Sequence, residues 1–229
     1  MALQNKTART AYWLTVLVLF AVTTAMLRWL TPVEATMGPI QKIFYLHLPS
    51  AINSLLACLL VFVASVGYLL RQRAWCDDLA LAAAKVAVLM CSVVLISGMI
   101  WGKVAWGAWW TWSPKLTFSL ILWLLYVVYL ILRPSIESHQ RRAMVSAVYG
   151  IAAFLDVPLV YLSAKMIPDI HPPAIQLAPE MKLTLAAWFV PVTLLTVGLI
   201  VEAFNANRRK SSRRQQASPA TESQASPLS

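Results

Sequence analysis

Acidic side chains are scarce in this chain. Asp and Glu together number nine among 229 residues, and charged residues of both signs make up only 12%. Ordinary globular chains carry about 25%. Hydrophobic residues reach 59%, with a mean hydropathy of +0.67. A water-soluble fold of this size has too little interior to hide that much apolar surface, and the same surface excludes intrinsic disorder. Cysteine is sparse as well. Cys58, Cys76 and Cys91 form no CxxC pair, and Cys58 and Cys91 fall inside apolar stretches, which argues against thiol relay and cysteine–zinc chemistry. No internal repeat stands out.

What the chain does contain is six long apolar stretches: Ala11–Leu30, Leu48–Leu70, Leu79–Ile100, Leu116–Leu132, Ala143–Ala164 and Leu183–Phe204. Each is long enough to cross about 30 Å of hydrocarbon, the fourth only just. The fold class is therefore all-α: a polytopic membrane protein of six transmembrane helices. The first stretch follows Lys6 and Arg9 but is too long for a secretory h-region, and no A-x-A site follows it; it reads as a retained helix.

The net charge of +10 reflects topology, not nucleic-acid binding, because the basic residues lie between the apolar stretches and in the terminal tail. With both termini cytoplasmic, 12 Lys and Arg fall on inner segments and 6 on outer ones, with Lys85 left inside the third helix. The chain thus divides into a cytoplasmic N-terminus (1–10), a six-helix membrane domain (11–204) and a basic cytoplasmic tail (205–229) whose Ser, Gln, Ala and Pro content predicts disorder; its arginines read first as a topological anchor and second as a contact for anionic membrane lipid. Lys85 and Glu202 lie one or two turns from the inner side and are expected to snorkel. Asp156, two residues before Pro158, lies deeper. It has two readings, a hydrogen bond to a neighbouring helix or a role in ligand binding.

The chemistry concentrates in Trp101–Thr117, WGKVAWGAWWTWSPKLT, with the tryptophan-rich outer loop placed at 101–115. Five of the ten tryptophans, Trp101, Trp106, Trp109, Trp110 and Trp112, fall within twelve residues. An interfacial aromatic belt is one reading, but a belt spreads its aromatics over several helix ends. A platform for a large flat apolar ligand is the other: indole faces stack well, and Gly102 and Gly107 let the backbone pack closely or turn. Only three histidines exist. His139 lies in a cytoplasmic loop beside Arg141 and Arg142. His47 and His171 fall in the outer loops on either side of the tryptophans, where a pair of imidazoles suits the axial positions of a metalloporphyrin. Pro49 suits the first turn of the second helix, so His47 sits near a helix N-terminus whose dipole favours the neutral ring. Lys103 and Lys115 are candidates to receive propionates.

Trp101–Thr117 resembles the tryptophan-rich signature of the haem-handling proteins of cytochrome c maturation, and most closely the haem exporter protein C (CcmC) family. Tyr45-Leu46-His47-Leu48-Pro49-Ser50-Ala51 is similar to that family's first histidine motif, and the Val157–His171 spacing fits its second. The resemblance covers roughly residues 10–205. It implies that His47 and His171 ligate the iron of haem b, bound as cargo, while the tryptophan segment holds the porphyrin. It further implies the bacterial inner membrane, with the haem site on the periplasmic side. Delivery would be to a periplasmic haem chaperone (CcmE-like), within a complex of an ABC-type ATPase and membrane subunits (CcmA-, CcmB- and CcmD-like). Where the family motif usually reads Trp-Asp, this chain has Trp112-Ser113. Ser113-Pro114 predicts a helix N-cap followed by proline at the first position, with the acidic charge lost.

The expected activity is haem transfer or export, without a side-chain nucleophile. The runner-up is the haem-handling part of a two-component cytochrome c synthase; those relatives are commonly longer and carry further histidines. A cytochrome b-type membrane oxidoreductase buries paired histidines inside its helices, whereas His47 and His171 are expected at or beyond helix ends. A structural ABC permease subunit leaves the tryptophan cluster unexplained.

Overall fold

A computed structural model describes residues 5–166 and 177–217. Among the described residues, seven α-helices make six crossings: α1 (Lys6–Ala25), α2 (Phe44–Arg71), α3 (Ala74–Trp106), α4 (Pro114–Leu132), α5 (His139–Phe154), α6 (Asp156–Met166) and α7 (Pro179–Ala217). All six segments are long and apolar enough to span a bilayer, the fifth by joining α5 to α6. No strand occurs among the described residues, as expected where lipid offers backbone groups no partner. An even number of crossings puts the start of α1 and the end of α7 at one end of the bundle. There Arg9 and Glu202 form an ion pair at 2.7 Å.

α2 and α3 form the central hairpin. The chain reverses at Gln72, whose left-handed backbone (φ 49°) closes α2 as its amide donates to the Tyr68 carbonyl. Ala57 and Ala64 on α2 and Ala80, Ala83, Ala84 and Ala87 on α3 are all buried, and such small side chains let helix backbones approach closely in lipid. Gly150 on α5 works the same way: a Cβ there would meet Ser65 Oγ at 2.9 Å. α4 adds Leu122, Tyr126 and Tyr129 to this core. α1 lies at the edge against α7, held by Trp188 Nε1 donating to the Thr23 carbonyl (3.1 Å), and it turns Leu14, Leu17 and Val18 outward to lipid.

Several sequence expectations change. The second helix does not begin at Leu48: a 3₁₀ turn at Pro39–Ile43 leads directly into α2 at Phe44. His47 is therefore helical, not in a loop, and Pro49 is interior, where it has no amide for the Tyr45 carbonyl. The third helix runs to Trp106, so Trp101, Lys103 and Trp106 are helical and the connecting loop begins only at Gly107, left-handed at φ 75°. The fifth crossing breaks at Leu155, because Pro158 cannot donate to the Phe154 carbonyl. α7 continues past Asn205 to Ala217 instead of giving way to irregular chain. Its continuation is anchored by Asn207, which accepts from Lys85 Nζ (2.9 Å) and donates to the Asp78 carbonyl (3.0 Å). Lys85 thus reaches Asn207 on α7, and Glu202 reaches Arg9 on α1, partners that the sequence did not reveal. His139, expected in a loop, begins α5.

Candidate functional site

A cavity of about 270 Å³ opens between α2, α3, α4 and α6 at the bundle end that carries the tryptophans. Phe44, Leu48, Ile52, Val94, Leu95, Met99, Leu116 and Val160 give it an apolar lining. Into this lining come one imidazole (His47), three indoles (Trp101, Trp106, Trp110), one phenol (Tyr161) and one ammonium-bearing side chain (Lys115). An apolar chamber with a few convergent polar groups is the usual form of a small-molecule site.

His47 is half-buried and held from behind by α3. Ser97 has one hydroxyl proton and directs it to the Val93 carbonyl at 2.6 Å, with Val94 O at 3.2 Å. Its oxygen therefore accepts from His47, whose Nδ1 lies 2.9 Å away. A ring that donates through Nδ1 carries, when neutral, its lone pair on Nε2, the tautomer suited to metal ligation. Gly98 makes the approach possible, since a Cβ there would stand 3.2 Å from His47 Cε1. Trp101, buried on the next turn, has its ring centroid 6.4 Å from that of His47.

The tryptophans divide into two groups. Trp101 and Trp106 have centroids 6.0 Å apart, and Gly102 admits the Trp106 ring at 3.2 Å from where its own Cβ would lie. With Trp110 they line the cavity. Trp109 and Trp112 do not; they are 56% and 75% exposed, and Trp112 meets Trp110 edge-on at 5.8 Å. The two lysines also part. Lys115 lines the cavity, while Lys103 is exposed and donates to the Gly107 carbonyl at 2.9 Å, closing the end of α3.

Ser113 occupies the N-cap of α4 with Pro114 as its first residue, as expected. Its hydroxyl does not perform the capping: only the backbone carbonyl is engaged, by Thr117 N at 2.9 Å. Asp156 begins α6 and is 6% exposed, and its Oδ2 has no hydrogen-bond partner among the described residues. It stays outside the lining, one turn before Val160 and Tyr161. His171 lies outside the described residues. No group of three or more His, Cys, Asp or Glu arranged for a metal ion occurs among those described.

Sequence reasoning missed Ser97, Gly98, Met99 and Tyr161. The Ser-Gly pair interrupting an apolar helical run was the one signal that marked the first two.

The family model described as "CcmC: Heme exporter protein C" matches residues 1–220. Among individual relatives, the chain is 38% identical over 130 residues to "Heme exporter protein C" of Paracoccus denitrificans, covering 56% of this chain and 54% of that protein. It is 37% identical over 118 residues to the protein of the same name from Rhodobacter capsulatus, covering 52% and 49%. The Escherichia coli K12 protein of that name is 26% identical over 140 residues, covering 61% and 57%. The chain spans about half the length of the curated relatives it matches.

Proposed function

The chain belongs to the haem exporter protein C family, and on that premise we propose that its cavity receives haem as cargo and presents it for cytochrome c biogenesis. The observation that carries this reading is His47 at the wall of an apolar, indole-lined chamber, its Nδ1 2.9 Å from the Ser97 hydroxyl. The residues present fit a metalloporphyrin. The apolar lining suits the macrocycle, His47 Nε2 supplies an axial nitrogen, and Lys115 is the cation for a propionate. Lys103, which lies outside the lining, is not assigned that task. His171 is proposed as the second axial ligand on the strength of the family resemblance.

The exposed pair Trp109 and Trp112 offers an aromatic surface beside the cargo, suited to contact with a periplasmic haem chaperone. The distribution of Lys and Arg supports a periplasmic position for this end and cytoplasmic termini, in a bacterial inner membrane. An ABC-type ATPase and further membrane subunits complete the proposed assembly. The function is transfer, not catalysis by a side-chain nucleophile. The two described histidines, His47 and His139, stand at opposite ends of the bundle and so do not form the intramembrane pair of a cytochrome b.

Transfer is the direct test. Haem-loaded protein is mixed with purified apo-chaperone, and the two are separated and scanned for the Soret band. Movement of haem to the chaperone is expected, with slower movement from Trp112→Ala. Retention of all haem, combined with its reduction by added quinol, would replace the transfer reading with a redox one.

A further inference from the structure

A second cavity, of about 370 Å³, opens at the end of the bundle opposite the tryptophans. Its chemistry is the reverse of the first. Lys85, Arg133, Arg142 and Lys210 line it against two carboxylates, Asp77 and Asp78, with His139 at its edge.

The base of this cavity is neutralised internally. Arg133 holds Asp77 through two parallel bonds of 2.7 Å, Nη1 to Oδ1 and Nη2 to Oδ2, and both side chains are buried. Asp78 accepts from Ser211 Oγ at 3.0 Å. Lys85 faces the amide oxygen of Asn207, a neutral partner, and Lys210 is exposed. Once the Arg133–Asp77 pair is set aside, Lys85 and Lys210 face one carboxylate, Asp78, so the cavity carries an excess of positive charge.

The walls decide what kind of anion fits. α4 and α7 both pack against α3 but make no substantial contact with each other, so α3 forms the floor of a crevice between them. Leu81 and Leu130 line it alongside the cations. Lys85 stands seven residues beyond Asp78, about 10 Å further along the helix, and is exposed within a span-length apolar segment. A lysine at that depth is stabilised by an anion that reaches it from the lipid side.

We propose that this crevice binds the phosphodiester headgroup of an anionic phospholipid. Lys85 and Lys210 embrace the phosphate, and an acyl chain lies along Leu81 and Leu130. Basic pockets between transmembrane helices are a general means of holding such headgroups. A soluble phosphate offers the same anion without the chain, and the apolar wall argues for the lipid.

The test uses the full chain in a neutral detergent, with thermal unfolding as the readout. Short-chain phosphatidylglycerol is titrated against phosphatidylcholine of equal chain length and against glycerol phosphate. Stabilisation by phosphatidylglycerol alone is expected. The half-maximal concentration should rise about fivefold in Lys210→Gln and roughly thirtyfold in Lys85→Gln/Lys210→Gln. Lys210→Gln alone suffices if the double variant does not fold, because that side chain is exposed. Equal stabilisation by phosphatidylcholine, or a phosphatidylglycerol response unchanged in Lys210→Gln, would overturn the proposal. Equal stabilisation by glycerol phosphate would overturn its assignment to lipid.

Discussion

Ser97 and His47 sit fifty residues apart in sequence on different helices, and their side chains meet at 2.9 Å. With its own proton committed to Val93 O, the serine accepts from Nδ1 and, in the neutral ring, leaves the lone pair on Nε2. Ser97→Ala is therefore expected to weaken haem binding by about 10- to 100-fold, the range for losing an outer partner of a metal-ligating histidine. Ser97→Thr, which retains a hydroxyl, should recover most of it. A haem titration followed at the Soret band measures both. An unaltered affinity in Ser97→Ala would show that the ring needs no such partner.

Gly98 makes an opposed pair of effects testable. Alanine there adds helix propensity worth about 1 kcal/mol. Its Cβ also stands 3.2 Å from His47 Cε1, so the ring must shift by a few tenths of an ångström. The expected signature is a melting temperature that does not fall, together with reduced haem occupancy. A parallel loss of both would mean that Gly98 serves packing alone.

The tryptophans are expected to separate by exposure. Trp110→Ala removes part of the cavity lining and should lower haem affinity, whereas Trp112→Ala, at a side chain 75% exposed, should leave affinity unchanged and slow transfer. Equilibrium titration and transfer kinetics on the same preparations distinguish the two. Equal losses of affinity in both variants would support a single platform of all five indoles.

At the opposite end, Asp77→Ala strands the buried Arg133 guanidinium against Tyr129. Removing one partner of a buried pair costs about 3–5 kcal/mol. The variant should unfold at markedly lower temperature in detergent. A shift of only a degree or two would indicate that water reaches the arginine.

The crossings were legible in the sequence because bilayer thickness constrains apolar length so strongly, and each of the six stretches coincides with one spanning segment. Their ends were harder to read. Pro49 suggested a helix start, but the 3₁₀ turn at Pro39–Ile43 already fixes the preceding backbone, and the helix absorbs the missing amide. Gly102 and the indoles suggested a loop. Close packing of Trp106 on Gly102 instead extends α3 until Gly107 turns it. His47 and the tryptophan cluster stood out by composition. Ser97 was marked only by the Ser-Gly interruption of an apolar run, a signal without a role until the fold sets it against His47. The side chains of Lys103 and Lys115 were equivalent as charges. Only the C-terminal geometry of α3 assigns the first to Gly107.

The central claim is that haem is held between His47 and His171 beside the indoles of α3. The most direct measurement is the visible spectrum of the protein purified under haem-replete expression, beside His47→Ala and His171→Ala. The account predicts a Soret band with low-spin features in the parent, weakened or shifted in each variant. A parent without haem, or a spectrum indifferent to His47→Ala, would contradict it.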